Sequence, residues 1–288
     1  MIKKISVISM MLVVVLAFSS CEKEGVFNPK RKISKITTTT TYEAAHIEPD
    51  SHSETWNWGK KTLESIEFGN GNILKFEYDK KNRISKSYYA NEANVVLNYS
   101  YDGNELSKIE LHGAGKVWLK MEFEYSKSKI SKITYTEYNF NEESNQKQMR
   151  ALSLFIPQHV CENIERFHKT AVQKNSSKAT DDYILTIELT WENGNISKEV
   201  YIEDGGDSST CTYKYDNNKN PFRGYEIGDL NLTTSLSENN VTSYFYTIEQ
   251  EGNGPEYTYT YSYDKGWPTE KIEKKSNYTT TTRYEYKN

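Results

Sequence analysis

Little of this sequence is apolar. Hydrophobic residues make up 36% of its 288 positions, below the usual share for globular domains, and mean hydropathy is −0.80. A thick aliphatic core is therefore excluded. So is plain disorder, because the chain holds 23 tyrosines, which bury their rings while the hydroxyls stay wet. Cysteine is scarce, with three residues in all, and the usual zinc spacings are absent. There is no phosphate loop, nucleophile elbow, paired catalytic carboxylate motif or His-based zinc motif. Neither an enzyme nor a bound cofactor is expected. A formal charge of −4 argues against the clustered basic face of a nucleic-acid binder; lysines interleave with glutamates, as on a solvated strand face.

What the chain does have is a repeat. Tyr78, Tyr101 and Tyr125 are spaced by 23 and 24 residues, and Trp191, Tyr215, Leu236, Tyr263 and Tyr286 continue the series. Two strands of about eight residues and two short turns fill this period, so the unit is a β-hairpin. Turn chemistry agrees: Gly103-Asn104 separates Tyr101 from Leu106, Asn70-Gly71 separates Phe68 from Ile73, and Asn193-Gly194 separates Trp191 from Ile196. Asn-Gly tolerates the backbone of a tight hairpin turn. Tyr125 with Ile130, Leu236 with Val241 and Tyr263 with Pro268 keep the offset; Tyr78 and Ile84 imply a three-residue loop with Asn82 left-handed. Each hairpin thus opposes an aromatic and an aliphatic residue on one face.

Strict alternation marks that face. Leu74, Phe76 and Tyr78 point one way and Lys75 and Glu77 the other; Tyr257, Tyr259, Tyr261 and Tyr263 alternate with Thr258, Thr260 and Ser262. In Ile33-Ser34-Lys35-Ile36, Leu106-Ser107-Lys108-Ile109 and Ile130-Ser131-Lys132-Ile133 the apolar residues are three apart. A β-bulge at the Ser-Lys step would restore the facing; partial cover on both faces is the alternative. Sixteen or so strands must curl, so the fold class is mainly β, an antiparallel hairpin meander forming a strongly curved sheet or barrel.

At the N-terminus Lys3 and Lys4 precede an apolar run, Ile5 to Phe18, too short for a membrane span, as in a signal peptide over residues 1–20. Leu16-Ala17-Phe18-Ser19-Ser20-Cys21 resembles a bacterial lipobox, which implies lipidation of Cys21. Residues 21–32 read as a tether and 33–288 as one β-meander domain. Residues 43–61 look irregular, with His46, His52, Trp56 and Trp58. Trp56 and Trp58 would share a face if extended, as candidates for stacking on a sugar ring or as buried packing. The repeat stops over 141–181, where Val160, Ile164, Phe167 and Ala171 fall at helical spacing, so a helical insertion is expected around 145–175.

Other chemistry is thinner. Cys161, Glu165 and His168 would share a helix face, and Asp204 and Asp207 flank two glycines; neither set has metal-site spacing, and no metal is assigned. Cys161 and Cys211 are the thiols left beside a lipidated Cys21, free to pair in an oxidising compartment.

Tyr78-Asp79 to Ile84, Tyr101-Asp102 to Leu106, Tyr215-Asp216 to Phe222 and Tyr263-Asp264 resemble the YD repeats of Rhs-type proteins, though mostly without the usual turn glycine. Together with the lipobox, the whole chain resembles Bacteroidetes lipoproteins described as having a porin-like fold. That resemblance implies a lipid-anchored outer-membrane or cell-surface protein and carries over no catalytic residues. The function expected is a non-enzymatic binding module for a glycan, peptide or partner protein. The alternatives are a structural or accessory subunit of an outer-membrane complex and a membrane-embedded barrel. The expected partners are the membrane, through Cys21, and a glycan or protein, not nucleic acid.

Overall fold

The structure, a computed structural model, describes residues 26–44, 46–91, 94–138, 182–203, 208–225, 232–248 and 252–287. Its strands are β1 (Ile33–Tyr42), β2 (Asp50–Trp58), β3 (Leu63–Phe68), β4 (Ile73–Tyr78), β5 (Ile84–Tyr89), β6 (Val95–Asp102), β7 (Glu105–Gly113) and β8 (Lys116–Ser126). They continue as β9 (Lys129–Glu137), β10 (Tyr183–Glu192), β11 (Asn195–Glu203), β12 (Ser208–Lys219), β13 (Asn239–Ile248), β14 (Gly252–Asp264), β15 (Trp267–Lys274) and β16 (Tyr278–Tyr286). A short helix, α1 (Leu232–Leu236), precedes β13. Every strand pairs antiparallel with its sequence neighbours, and β1 pairs with β16. The curved sheet is therefore a closed barrel, which leaves no free edge. The expected helix around 145–175 lies outside the described residues.

Facing follows alternation. Leu74, Phe76, Leu97, Ile109, Leu111, Met121, Phe123, Ile133, Tyr135, Leu185 and Ile187 are buried inside. Lys75, Glu77, Glu122, Glu124 and Glu188 are exposed on the outside. There Lys86 pairs with Glu77 (3.7 Å), Lys120 with Glu122 (2.9 Å) and Lys132 with Glu124 (2.5 Å).

At one end, the near end, every hairpin has the same construction. Tyr78 opposes Ile84, Tyr101 opposes Leu106, Tyr125 opposes Ile130, Trp191 opposes Ile196 and Tyr263 opposes Pro268. The next residue on the returning strand is skipped, so the bulge expected at the Ser-Lys step is present. Its hydroxyl donates back across the hairpin: Ser107 to the Ser100 carbonyl (3.0 Å), Ser131 to Glu124 (3.2 Å), Ser197 to Thr190 (3.3 Å) and Thr269 to Ser262 (3.2 Å). Asn82 is left-handed (φ 59°), as its three-residue loop requires.

The bulge has a consequence between hairpins. Pairing of β5 with β6 stops at Lys86 and Asn98, and that of β7 with β8 at Lys108 and Glu122, so both ladders end short of Ile84 and Leu106. An aromatic donor three residues further on takes the carbonyl of each: Tyr101 Oη donates to Ile84 O (2.7 Å) and Tyr125 Oη to Leu106 O (2.9 Å). The series runs all the way round. Trp58 donates to Ile33 (2.6 Å), Tyr78 to Leu63 (2.5 Å), Trp191 to Ile130 (2.7 Å), Tyr215 to Ile196 (2.6 Å), Tyr261 to Val241 (3.0 Å) and Tyr286 to Pro268 (2.7 Å). Buried carbonyls must be satisfied, and this girdle of tyrosine and tryptophan does it.

Three expectations change. Glu67, not Phe68, opposes Ile73, because the Asn70 carboxamide caps Asn72 N–H (3.0 Å) and widens the loop by one residue. Val241 opposes Tyr215, not Leu236, which ends α1; the described residues 220–225 and 232–238 lie off the ladder between the two strands. Residues 50–58 are a regular strand. Within the stretch read as a tether, Phe27 is 2% exposed, between Trp58 (5.4 Å) and Tyr225 (5.0 Å), closing the near end from inside.

Tyr101→Phe removes one girdle donor and leaves a buried carbonyl unpaired. It is expected to cost about 1–2 kcal/mol in urea unfolding, while Tyr88→Phe on the outer wall costs little. Lys127 and Ser128 both hold positive φ (53° and 60°) without being glycine. Ser128→Gly is expected to raise the urea midpoint, worth about 1 kcal/mol.

Candidate functional site

The inside of the barrel has two arcs. From β3 to β11 it is lined mainly by Leu, Ile, Phe and Met. From β12 round to β2 it is lined by Tyr213, Tyr244, Tyr257, Tyr259, Tyr261, Lys271, Glu273, Thr280, Thr282, Tyr284, Thr38, Thr40, His52 and Glu54, which share a face through the strand register. Hydroxyls meet across strands there, as with Thr40 and Thr280 (3.2 Å).

This second arc holds a cavity of about 140 Å³. Its walls are Tyr213, Tyr244, Tyr259, Tyr261, Lys271 and Tyr284, and its near-end cover is Asn220, Pro221, Phe222, Thr233, Thr234, Asn239 and Asn240. The rings form a connected set: Tyr244 stacks on Tyr257 (4.4 Å, 4°) and tilts against Tyr213 (6.1 Å) and Tyr259 (6.2 Å). Lys271 Nζ lies 5.1 Å from the Tyr259 ring centre. Burial raises the pKa of Tyr244, Tyr259, Tyr261 and Tyr284, so the phenols stay protonated, Tyr261 donating to the Val241 carbonyl.

One buried and one half-buried carboxylate anchor the cover. Glu199, 4% exposed, accepts from Tyr201 (2.7 Å), Tyr213 (2.7 Å) and the Thr233 hydroxyl, which ties α1 to the wall. Asp216 accepts from the Tyr263 hydroxyl, from Asn240 Nδ2 (3.2 Å) and from Asn218 N–H (2.9 Å). Asn220 Nδ2 donates to the Ser237 carbonyl (2.9 Å), pinning the residue after β12 to those just before β13. Such a chamber offers ring faces, hydroxyl donors and an ammonium: chemistry for holding a polar, ring-shaped ligand.

Trp56 and Trp58 do share the inner face, but both are engaged. Trp56 is 5% exposed, against Tyr225 (4.9 Å) and Phe222 (6.0 Å), with its indole N–H given to Glu54 (3.2 Å). Trp58 is a girdle donor. Cys211 is a free, buried thiol, pushed up to about 12 by burial and then by Glu199. Cys21, Cys161, Glu165, His168, Asp204 and Asp207 lie outside the described residues. Among the described residues, no three His, Cys, Asp or Glu side chains could hold a metal ion.

The polar residues that sequence reading passed over, Glu199, Tyr244 and Lys271, share one repeat position with apolar ones. Three residues after each bulge-side apolar residue comes an inward slot: Ile36, Ile66, Ser87, Ile109, Ile133, Glu199, Tyr244 and Lys271. Aligning the hairpins on this slot, instead of on the aromatic, would have singled out Glu199 and Lys271 as polar groups placed inside.

A closed, sixteen-stranded antiparallel meander barrel with its near end filled is the class this architecture defines. Two solved structures are similar to it. A porin-like protein from Bacteroides uniformis shares 14% identity over 92% of this chain and 100% of its own, at a TM-score of 0.50. A porin-like protein from Bacteroides vulgatus shares 9% identity over 89% and 99%, at 0.51. At such identities the likeness establishes a porin-like fold. No family model and no curated protein matches the sequence.

Glu54 supplies a pH test. Burial raises its pKa, against the Trp56 hydrogen bond and His52, which lower it. A carboxyl with a folded pKa above its unfolded one loses stability for the fold as pH rises through that interval. Glu54→Gln should therefore raise the urea midpoint at pH 7, with the gain shrinking as pH falls toward 4; a gain independent of pH would refute the assignment.

Proposed function

We propose that this chain is a lipid-anchored, non-enzymatic binding protein of the bacterial cell envelope, whose tyrosine-lined chamber takes a glycan unit. The observation that carries the reading is the chamber itself: stacked phenols and hydroxyl donors fit the faces and edges of a sugar ring. The lipobox ending at Cys21 and the porin-like fold support the location. An embedded barrel fits the outer wall poorly. A lipid-facing wall is an apolar band about 25 Å tall, and each Lys or Arg at its midplane costs about 2–4 kcal/mol. Here that wall presents Lys75, Glu77, Lys120, Glu122 and Glu124 along its strands.

Two measurements test this. A glycan and peptide array probed with the chain starting at Glu22 is expected to return glycans, with Tyr259→Ala weakening the hit about tenfold, the worth of one stacked ring. Peptide hits alone, or an unchanged Tyr259→Ala, would overturn the glycan assignment. Mass spectrometry of protein made in a bacterial host is expected to find acyl chains on Cys21, and Cys21→Ser to release the protein from membranes; an unmodified Cys21 would remove the anchor.

A further inference from the structure

We propose that one arc of the near rim rests on an anionic lipid surface, so that the barrel stands on the membrane with its near end down. The arc runs over neighbouring connections: the β14–β15 turn, the segment entering β1, and the β2–β3 and β4–β5 loops. Lys265, Lys30, Lys60, Lys61, Lys80 and Lys81 project from it, all exposed. Its acids are largely spoken for: Asp264 is held by Arg31 (2.9 Å) and Asp79 by Arg83 (2.7 Å), leaving Glu64 exposed. Wall lysines differ, since Lys86, Lys108, Lys120 and Lys132 each have a glutamate beside them. At the opposite rim the β1–β2 connection is acidic, with Glu43, Glu48 and Asp50 exposed. Net charge conceals this local separation between the basic arc and the acidic β1–β2 connection.

The path of the chain points the same way. Phe27 is fixed inside the near end, against Trp56 and Tyr225, so the described chain begins at that end of the barrel. Residues 21–26 can span at most about 18 Å when extended. On the lipid-anchor reading above, Cys21 would hold the rim within that distance of the headgroups. Lysines close to such a surface are attracted within about 8 Å at physiological salt.

Vesicle sedimentation tests the rim without the anchor. The chain starting at Glu22 keeps every described contact and carries no lipid. It is expected to bind phosphatidylcholine vesicles containing phosphatidylglycerol, to ignore phosphatidylcholine alone, and to release as salt is raised. Changing Lys60, Lys61, Lys80, Lys81 and Lys265 to Gln should weaken binding at least about tenfold, while the same change at Lys75, Lys108 and Lys132 leaves it intact. Far-UV circular dichroism and urea midpoints confirm that both variants fold. Equal loss in the wall variant, or no preference for anionic vesicles, would overturn the proposal. Tighter binding to duplex DNA than to vesicles would reassign the arc to another polyanion. Because neither acylation nor a glycan enters the assay, its failure leaves the anchoring and chamber readings standing, and their failure leaves this one.

Discussion

The structure depends on how each hairpin is joined to the one before it. A bulge beside every near-end turn pulls the returning strand out of register, so the ladder to the next hairpin ends early. The aromatic of that next hairpin reaches back and donates to a carbonyl beyond the ladder's end. Each such bond is worth about 0.5–1.5 kcal/mol net. The eight together are comparable in size to the whole stability of a typical domain, about 5–15 kcal/mol. Because the last bond, from Trp58 to Ile33, ties the second hairpin to the strand paired with β16, the girdle also closes the barrel.

The same repeat that builds the wall also makes the chamber. Where the inward slot holds Ile109 or Ile133, the interior is apolar and packs. Where it holds Glu199, Tyr244 or Lys271, polar groups are brought inside and must find partners there. Glu199 finds them on Tyr201, Tyr213 and Thr233, the last of which recruits α1 into the cover. The polar arc is thus a local variation on an otherwise apolar scheme, and the cavity lies where the variation is concentrated.

Much of this was legible in the residues. Opposed couples such as Tyr101 with Leu106, the Ser-Lys bulge and the left-handed Asn82 follow from turn geometry acting over a few residues. The misses have identifiable causes: one carboxamide at Asn70 shifts a register, and Tyr215 takes Val241 as its partner across a connection, Lys219 to Asn239, far longer than the turns of the even repeat. Trp56 and Trp58 were placed on a common face correctly. Which ring would be free for a ligand depended on Phe27, Phe222 and Tyr225, each distant in the chain.

By itself, then, the sequence determined the hairpin, its period, the inner and outer faces and the strand number, because alternation and turn chemistry act between near neighbours. Tertiary structure decided that the sheet closes, that Phe27 plugs the near end, and that tyrosines from β12 to β16 converge on one cavity. Those outcomes rest on pairings such as Ile33 with Tyr286 and contacts such as Thr233 with Glu199, which depend on the path of the whole chain and which no short-range pattern encodes.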